Sequence, residues 1–210
     1  MVWRDSRTST SAGIYGARVR GMDGVKLGSE LLLADGNFTK DSPTVASDGA
    51  DYLVAWVDLR SVGRIKGARV SGATDTVLAT GLDLSRSTFH TNYPAVTYGG
   101  GVYLLAWTGY PTSTDGNVYA VRVSPADGAL LDAENIPLCT LSGHQDMPRV
   151  AFDGGNFLVD WRTSQNLFGT RVSPAGRVVD GAGFVIMDQS TPAPPGLPRP
   201  GPLHGAGLPL

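Results

Sequence analysis

Four tryptophans, Trp3, Trp56, Trp107 and Trp161, lie 53, 51 and 54 residues apart. Three of them close a run of one pattern: Tyr52-Leu53-Val54-Ala55-Trp56, Tyr103-Leu104-Leu105-Ala106-Trp107 and Phe157-Leu158-Val159-Asp160-Trp161. The fourth stands in Val2-Trp3-Arg4-Asp5. Ahead of the last three comes a second match, at Pro43 to Gly49, Pro94 to Gly100 and Pro148 to Gly154. Behind every tryptophan comes a third, ending in Arg18-Val19, Arg69-Val70, Arg122-Val123 and Arg171-Val172. A looser apolar segment ends each unit: Leu31 to Ala34, Val77 to Thr80, Ile136 to Cys139 and Phe184 to Met187. A period of this length, kept in several places, marks a repeat architecture.

Each unit reads as four short strands. Asp48-Gly49, Gly99-Gly100 and Asp153-Gly154 join the first to the second as hairpin turns, because glycine accepts positive φ. Ser71-Gly72, Ser124-Pro125 and Ser173-Pro174 begin the turn from third to fourth. The link from second to third varies most, being long and polar at Ser6 to Gly13 and Thr108 to Asn117, and variable loops are where recognition is usually placed. Strand alternation puts Tyr52, Val54 and Trp56 on one face and Leu53, Ala55 and Val57 on the other. Both faces are apolar, so the sheet is expected to be covered on both sides. In the third strand a small residue recurs, Gly16, Gly67, Ala120 and Gly169, and the unit's own Trp ring is expected to lie over it. Four-stranded antiparallel units packed face to face are the blades of a β-propeller. The expectation is an all-β, propeller-like fold with a ~50-residue repeat.

The expected boundaries are a partial blade at 1–36 lacking its first strand, and full blades at 43–85, 94–139 and 148–189. Residues 190–210, rich in Pro and Gly, are expected to be a disordered or polyproline-like tail, since proline lacks the ladder N–H. On this reading the chain is an incomplete propeller, with exposed blade edges open to self-association.

The composite pattern, Pro-x-Val-Ala-x-Asp-Gly-x-x-Tyr-Leu-Val-Ala-Trp-x-Asp-x-Arg, resembles a propeller-like repeat of large secreted or surface-attached bacterial proteins. Residues 43 to 70 match it best. The resemblance implies an extracellular or cell-surface, non-enzymatic role. Sialidase-like propellers are a more distant likeness, and their Ser-x-Asp-x-Gly-x-Thr-Trp turn is absent.

Composition excludes several classes. Lys and Arg number 17 against 19 Asp and Glu, a net −2. That balance leaves no basic footprint for nucleic acid and no polybasic patch for a membrane surface. No apolar run approaches the ~20 residues that span a bilayer. Cys139 is the one cysteine, so no intrachain disulfide forms. His90, His144 and His204 stand in separate segments without metal-ligand spacing, and no phosphate, dinucleotide or EF-hand loop occurs, so no metal or cofactor is expected.

The candidate residues are few. Trp3-x-Asp5-x-Arg7 and Trp56-x-Asp58-x-Arg60 read as salt bridges fixing a strand exit, or as sites for a sugar or carboxylate. The arginines Arg18, Arg69, Arg122 and Arg171 read as architectural pairs, or as a ring attracting anions into a channel. Asp160 replaces Ala55 and Ala106 of the sister units, and Arg162 on the same face is its expected partner. Burial would raise its pKa and a partner arginine would lower it. Asp160 and Asp58 are thus the candidate catalytic acids. The loop around Tyr110, Asp115 and Asn117, with His90 and Tyr93 from another loop, is the candidate binding surface for a protein or a carbohydrate. With no catalytic motif in the repeat, the expected function is non-enzymatic binding or scaffolding. The alternative is part of a propeller-fold glycoside hydrolase or lyase.

Overall fold

The computed structural model describes residues 1–7, 11–35, 37–60, 62–113 and 115–188, so the proposed tail lies outside the described residues. The fold is an all-β propeller of four antiparallel sheets, each a simple meander. The first blade holds β1 (Val2–Asp5), β2 (Gly13–Val19) and β3 (Lys26–Ala34). The second holds β4 (Lys40–Ser47), β5 (Asp51–Asp58), β6 (Arg64–Ser71) and β7 (Val77–Asp83). The third holds β8 (His90–Gly99), β9 (Val102–Tyr110), β10 (Asn117–Val123) and β11 (Ile136–Cys139). The fourth holds β12 (Asp146–Phe152), β13 (Phe157–Arg162), β14 (Asn166–Val172) and β15 (Phe184–Asp188).

The first strands β4, β8 and β12 pack against one another and form the inner edge. Thr97 on β8 donates its hydroxyl to the Val150 carbonyl on β12 at 3.0 Å. The last strand of each sheet forms the outer rim, where Thr80 donates to the Leu33 carbonyl at 2.7 Å.

Three apolar cores lie between blades, because the central strands are apolar on both faces. Val54 and Trp56 meet Ile14 and Leu33 of the first blade. Leu53, Ala55 and Val57 meet Leu105, Trp107 and Val121 of the third. Leu104, Ala106 and Val118 meet Val159, Trp161 and Val172 of the fourth. Each full blade thus turns its tryptophan toward the preceding blade, and Trp56, Trp107 and Trp161 are all fully buried. Burying side chains of this size contributes roughly 25 cal/mol per Å² removed from water.

The small residue of the third strand is not covered by the Trp ring. Trp56 pairs with Lys66 across the ladder, so its ring lies on the face opposite Gly67. A Cβ on Gly67 would stand 2.3 Å from Leu84 Cδ1 and 2.8 Å from the Val54 carbonyl oxygen. Leu33 and Ile186 take the same place over Gly16 and Gly169. An apolar side chain at the outer rim therefore folds back over the sheet, and the glycine makes room for it.

The recurring arginines join blades at the turns, on third strands that lie away from the inner edge. Arg18 pairs with Asp75 of the second blade at 3.0 Å. Arg69 donates to the Ala126 carbonyl of the third at 2.6 Å. Arg122 donates to the Pro174 carbonyl of the fourth at 3.1 Å. Arg171 grips Asp180 within its own blade.

Candidate functional site

The inner strands begin, and the second strands finish, at one end of the propeller. Here the crossover into each blade is tied to the preceding blade by a main-chain hydrogen bond. Lys40, Thr91 and Gln145 donate their N–H groups to the carbonyls of Ala12, Gly63 and Gly116 at 3.0, 3.0 and 2.7 Å. The approach is close: a Cβ on Gly63 would lie 2.7 Å from the His90 ring, and one on Gly116 would lie 2.9 Å from His144 Cε1.

Each inner strand then opens on the same irregularity. Asp41-Ser42-Pro43, Asn92-Tyr93-Pro94 and Asp146-Met147-Pro148 all slip the ladder by a bulge. The middle residues hold φ of 50°, 52° and 51°. Their N–H groups leave the ladder and donate to the side-chain oxygen of the preceding Asp or Asn at 2.7, 3.0 and 2.7 Å. Non-glycine residues at positive φ are strained and tend to cluster at functional sites. The bulge orients Asp41, Asn92 and Asp146 alike on three adjacent strands.

Tyr110, at the end of β9, lies between two histidines that are 54 residues apart in sequence. Its ring centroid is 6.0 Å from that of His90 and 5.8 Å from that of His144. Both histidines stand four residues before the proline of a bulge, so the repeat brings together two side chains that read as unrelated in sequence. Gly63 N–H donates to His90 Nδ1 at 3.2 Å, which leaves Nε2 as the protonated nitrogen of the neutral ring. Burial, the charge of Asp146 and the neighbouring Tyr93 push the Tyr110 hydroxyl up to about 12, so it is a donor at neutral pH. The Asp146 carboxylate is nearly buried; besides Met147 N–H it faces Arg162 Nη2 at 3.5 Å and His144 Nε2 at 3.7 Å. Beside this cluster a cleft of about 450 Å³ is lined by His90, Asn92, Tyr110, Pro111, Thr112 and Ser113.

Of the sequence candidates, His90 and Tyr110 meet at this cleft, and Tyr93 follows the lining residue Asn92 in the β8 bulge. Asp115 donates its N–H to Thr112 Oγ1 at 3.1 Å and ties the loop that forms one wall. Asn117 is buried and reaches the Tyr119 hydroxyl at 3.4 Å. The proposed acids do not join them. Asp58 is 3% exposed and lies between Arg60 Nε at 3.2 Å and Lys40 Nζ at 3.8 Å, also 3% exposed. Asp160 sits on the outer face of the fourth blade. The bulge in β12 places Arg149 opposite Asp160 and Asp146 opposite Arg162, so Arg162 pairs with Asp146 instead. Burial raises the Asp160 pKa, and the charge of Arg149 opposes that shift. Asp41, Asn92 and Asp146 were missed by sequence reasoning. The signal was present as an Asp or Asn two residues before the proline of each unit. Among the described residues no group of three metal-binding side chains occurs.

No protein-family model matches the sequence, and no curated protein matches it. Solved structures do resemble it. An α-L-arabinofuranosidase from Lactobacillus brevis superposes with a TM-score of 0.56 at 10% identity, over 88% of this chain and 67% of that one. An endo-arabinase from Bacteroides thetaiotaomicron gives 0.56 at 14% identity, over 88% and 74%. A periplasmic gluconolactonase from Pseudomonas aeruginosa gives 0.53 at 16% identity, over 86% of this chain and 53% of its own length. These likenesses establish the fold.

All three propellers are enzymes, and that corrects two expectations: a non-enzymatic binding or scaffolding module, and a chain that is not an enzyme. The physical reason is that the repeat encodes the packing. Catalytic groups sit on irregular strand ends and loops, so their absence from the repeat says nothing about activity. No helix among the described residues is long and apolar enough to cross a membrane.

Proposed function

We propose that the chain belongs to an extracytoplasmic, propeller-fold glycoside hydrolase that takes a glycan at the Tyr110 cleft. The observation that carries this reading is Tyr110 held between His90 and His144 beside the Asp146 carboxylate, at the inner end of the blades. An aromatic ring offers an apolar face to a sugar, while Asn92, Asp146 and the Tyr110 hydroxyl offer polar partners to its hydroxyls. Glycosidic cleavage commonly uses two carboxylates flanking the scissile bond. Asp41 and Asp146, at equivalent positions on either side of Asn92, are the pair this reading assigns. On this reading Asp146 accepts a proton from the attacking water while the carboxyl of Asp41 gives a proton to the departing glycosidic oxygen, and the likeness to arabinan-acting propellers makes arabinan the first substrate to try.

The test is release of reducing ends from arabinan, arabino-oligosaccharides and a wider glycan panel. Activity that falls about a hundredfold or more in Asp146→Asn, with folding intact, supports the assignment. Turnover by neither protein on any glycan, or full turnover by the variant, overturns it.

A further inference from the structure

A tryptophan stacked on an aromatic ring recurs among the described residues. Trp107 lies 6.4 Å from Tyr119, Trp161 lies 6.3 Å from Phe168, and Trp3 lies 6.3 Å from Tyr15. The first two stacks sit in the cores that join a blade to the one before it. Val2 packs toward the second blade, so alternation turns Trp3 the other way, and no described blade stands against it. Leu32, opposite Tyr15 in the ladder, is 53% exposed there. The fourth blade shows the converse. Phe157, Val159 and Trp161 face the third blade, so Leu158 and Asp160 face outward. Leu158 holds the place of Leu53 and Leu104, which lie under the next blade. Ile186 folds over Gly169 as Leu84 folds over Gly67, but Leu84 is fully buried and Ile186 is 44% exposed. Arg171 also repeats Arg122, since both set Nε and Nη2 on an aspartate of their own blade. Arg122 then gives Nη1 to the Pro174 carbonyl of the next blade, and Arg171 Nη1 has no such acceptor among the described residues.

We infer that these two faces dock on each other in different copies of the chain, the Trp3–Tyr15 stack of one protomer lying on the Leu158–Ile186 face of its partner. Each face carries half of a contact that the fold already makes between its own blades, so a second copy requires no new kind of packing. Charge favours the same pairing. Asp5 accepts from Trp3 Nε1, and Asp5 and Glu30 share the single cation Arg7, which leaves the Trp3 face net acidic. The other face presents exposed Arg149 and the spare Nη1 of Arg171. Asp160 stands where the sister blades carry alanine, with Arg149 opposite it in the ladder. The contact is therefore more polar than those within the chain, and it is reversible. Unlike faces meet, so the arrangement is head-to-tail. A pair leaves one face free at each end, and the assembly grows with concentration unless it closes into a ring.

Light scattering behind size exclusion, over a concentration series reaching about 100 μM, is expected to show a mass above that of one chain. Ile186→Lys alters the fourth-blade face and Leu32→Lys alters the Trp3 face, both at exposed positions. Each variant alone is expected to run as a single chain with an unchanged melting temperature. Mixed in equal amounts, the two regain one intact contact, and are expected to form pairs and nothing larger. Asp160→Ala reads the same face in the opposite sense: it removes a charge that docking would bury, and association is expected to tighten about tenfold. A single-chain mass for the unsubstituted protein at every concentration overturns the inference. Association that only one of the two lysine variants abolishes, or a mixture that stays monomeric, shows that like faces or another surface meet, and overturns it too. Should a lysine variant lose melting temperature, Asp160→Ala decides alone, and association no tighter than in the unsubstituted chain overturns the inference.

Discussion

Arg122 grips Asp132 with Nε and Nη2, and with Nη1 it donates to the Pro174 carbonyl of the next blade. One side chain thus closes its own turn and clasps its neighbour. The planar fork makes this possible, and a lysine offers no equivalent.

Arg122→Lys is therefore expected to destabilise the protein by about 2 kcal/mol, the typical value of hydrogen bonds to a charged group. Arg171→Lys, whose partner Asp180 lies in the same blade, is expected to cost less. Urea unfolding of the two variants checks the ranking, and equal losses would refute the inter-blade clasp.

Gly67→Ala places a methyl group against Leu84 and the Val54 carbonyl. Overpacking of this kind costs typically about 1–3 kcal/mol. Adding Leu84→Ala frees one contact and leaves the carbonyl, so the double variant should not recover wild-type stability. Thermal unfolding of the single and double variants reads this directly.

Asp58→Ala leaves Lys40 buried with the Phe38 carbonyl as its remaining close partner. Removing one member of a buried pair costs about 3–5 kcal/mol. Replacing both, by Lys40→Met with Asp58→Leu, should return most of that loss. Any hydrolytic rate, corrected for folded protein, is expected to stay unchanged in the double variant; a selective loss of rate would restore Asp58 as a catalytic acid.

Asp160 carries a pKa raised by burial. In the window between the ordinary aspartate value and the raised one, the folded state binds more protons than the unfolded state. Its contribution to stability therefore falls as pH rises through that window. Asp160→Asn should match the wild type below about pH 3.5 and exceed it at neutral pH. Asp160→Ala, which copies Ala55 and Ala106, should also make the outer face of the fourth blade more apolar and promote association at high concentration. Light scattering separates that effect from stability, and a gain in stability confined to acid pH would contradict the raised pKa.

The blades were legible because tryptophan spacing and strand alternation repeat in the sequence itself. Alternation says which residues of one strand share a face. It does not say what stands opposite on the next strand, and the errors arose there. Trp56 was expected over Gly67, but the ladder pairs it with Lys66 and turns it away. Arg162 was expected beside Asp160, but the β12 bulge moves Arg149 into that place. His90 and His144 looked unrelated because their likeness lies in their distance from Pro94 and Pro148, which becomes visible only when the units are aligned on the proline. The cleft was half legible: its aromatics stood out, while Asn92 and Asp146 were hidden in the strand that packs the inner edge.

The crossover into each full blade repeats one main-chain bond, to Ala12, Gly63 and Gly116, and at Gly63 the side chains of Thr91 and His90 add to it. The docking bond common to the blades at this end is therefore carried by the backbone, with a small residue, Ala12, Gly63 or Gly116, admitting the crossover. A blade of the same repeat, carrying its bulge residue and its loop as one cassette, keeps this shared main-chain bond to its neighbour. The third blade is the cassette that brings Asn92 of its bulge and Tyr110 to one cleft.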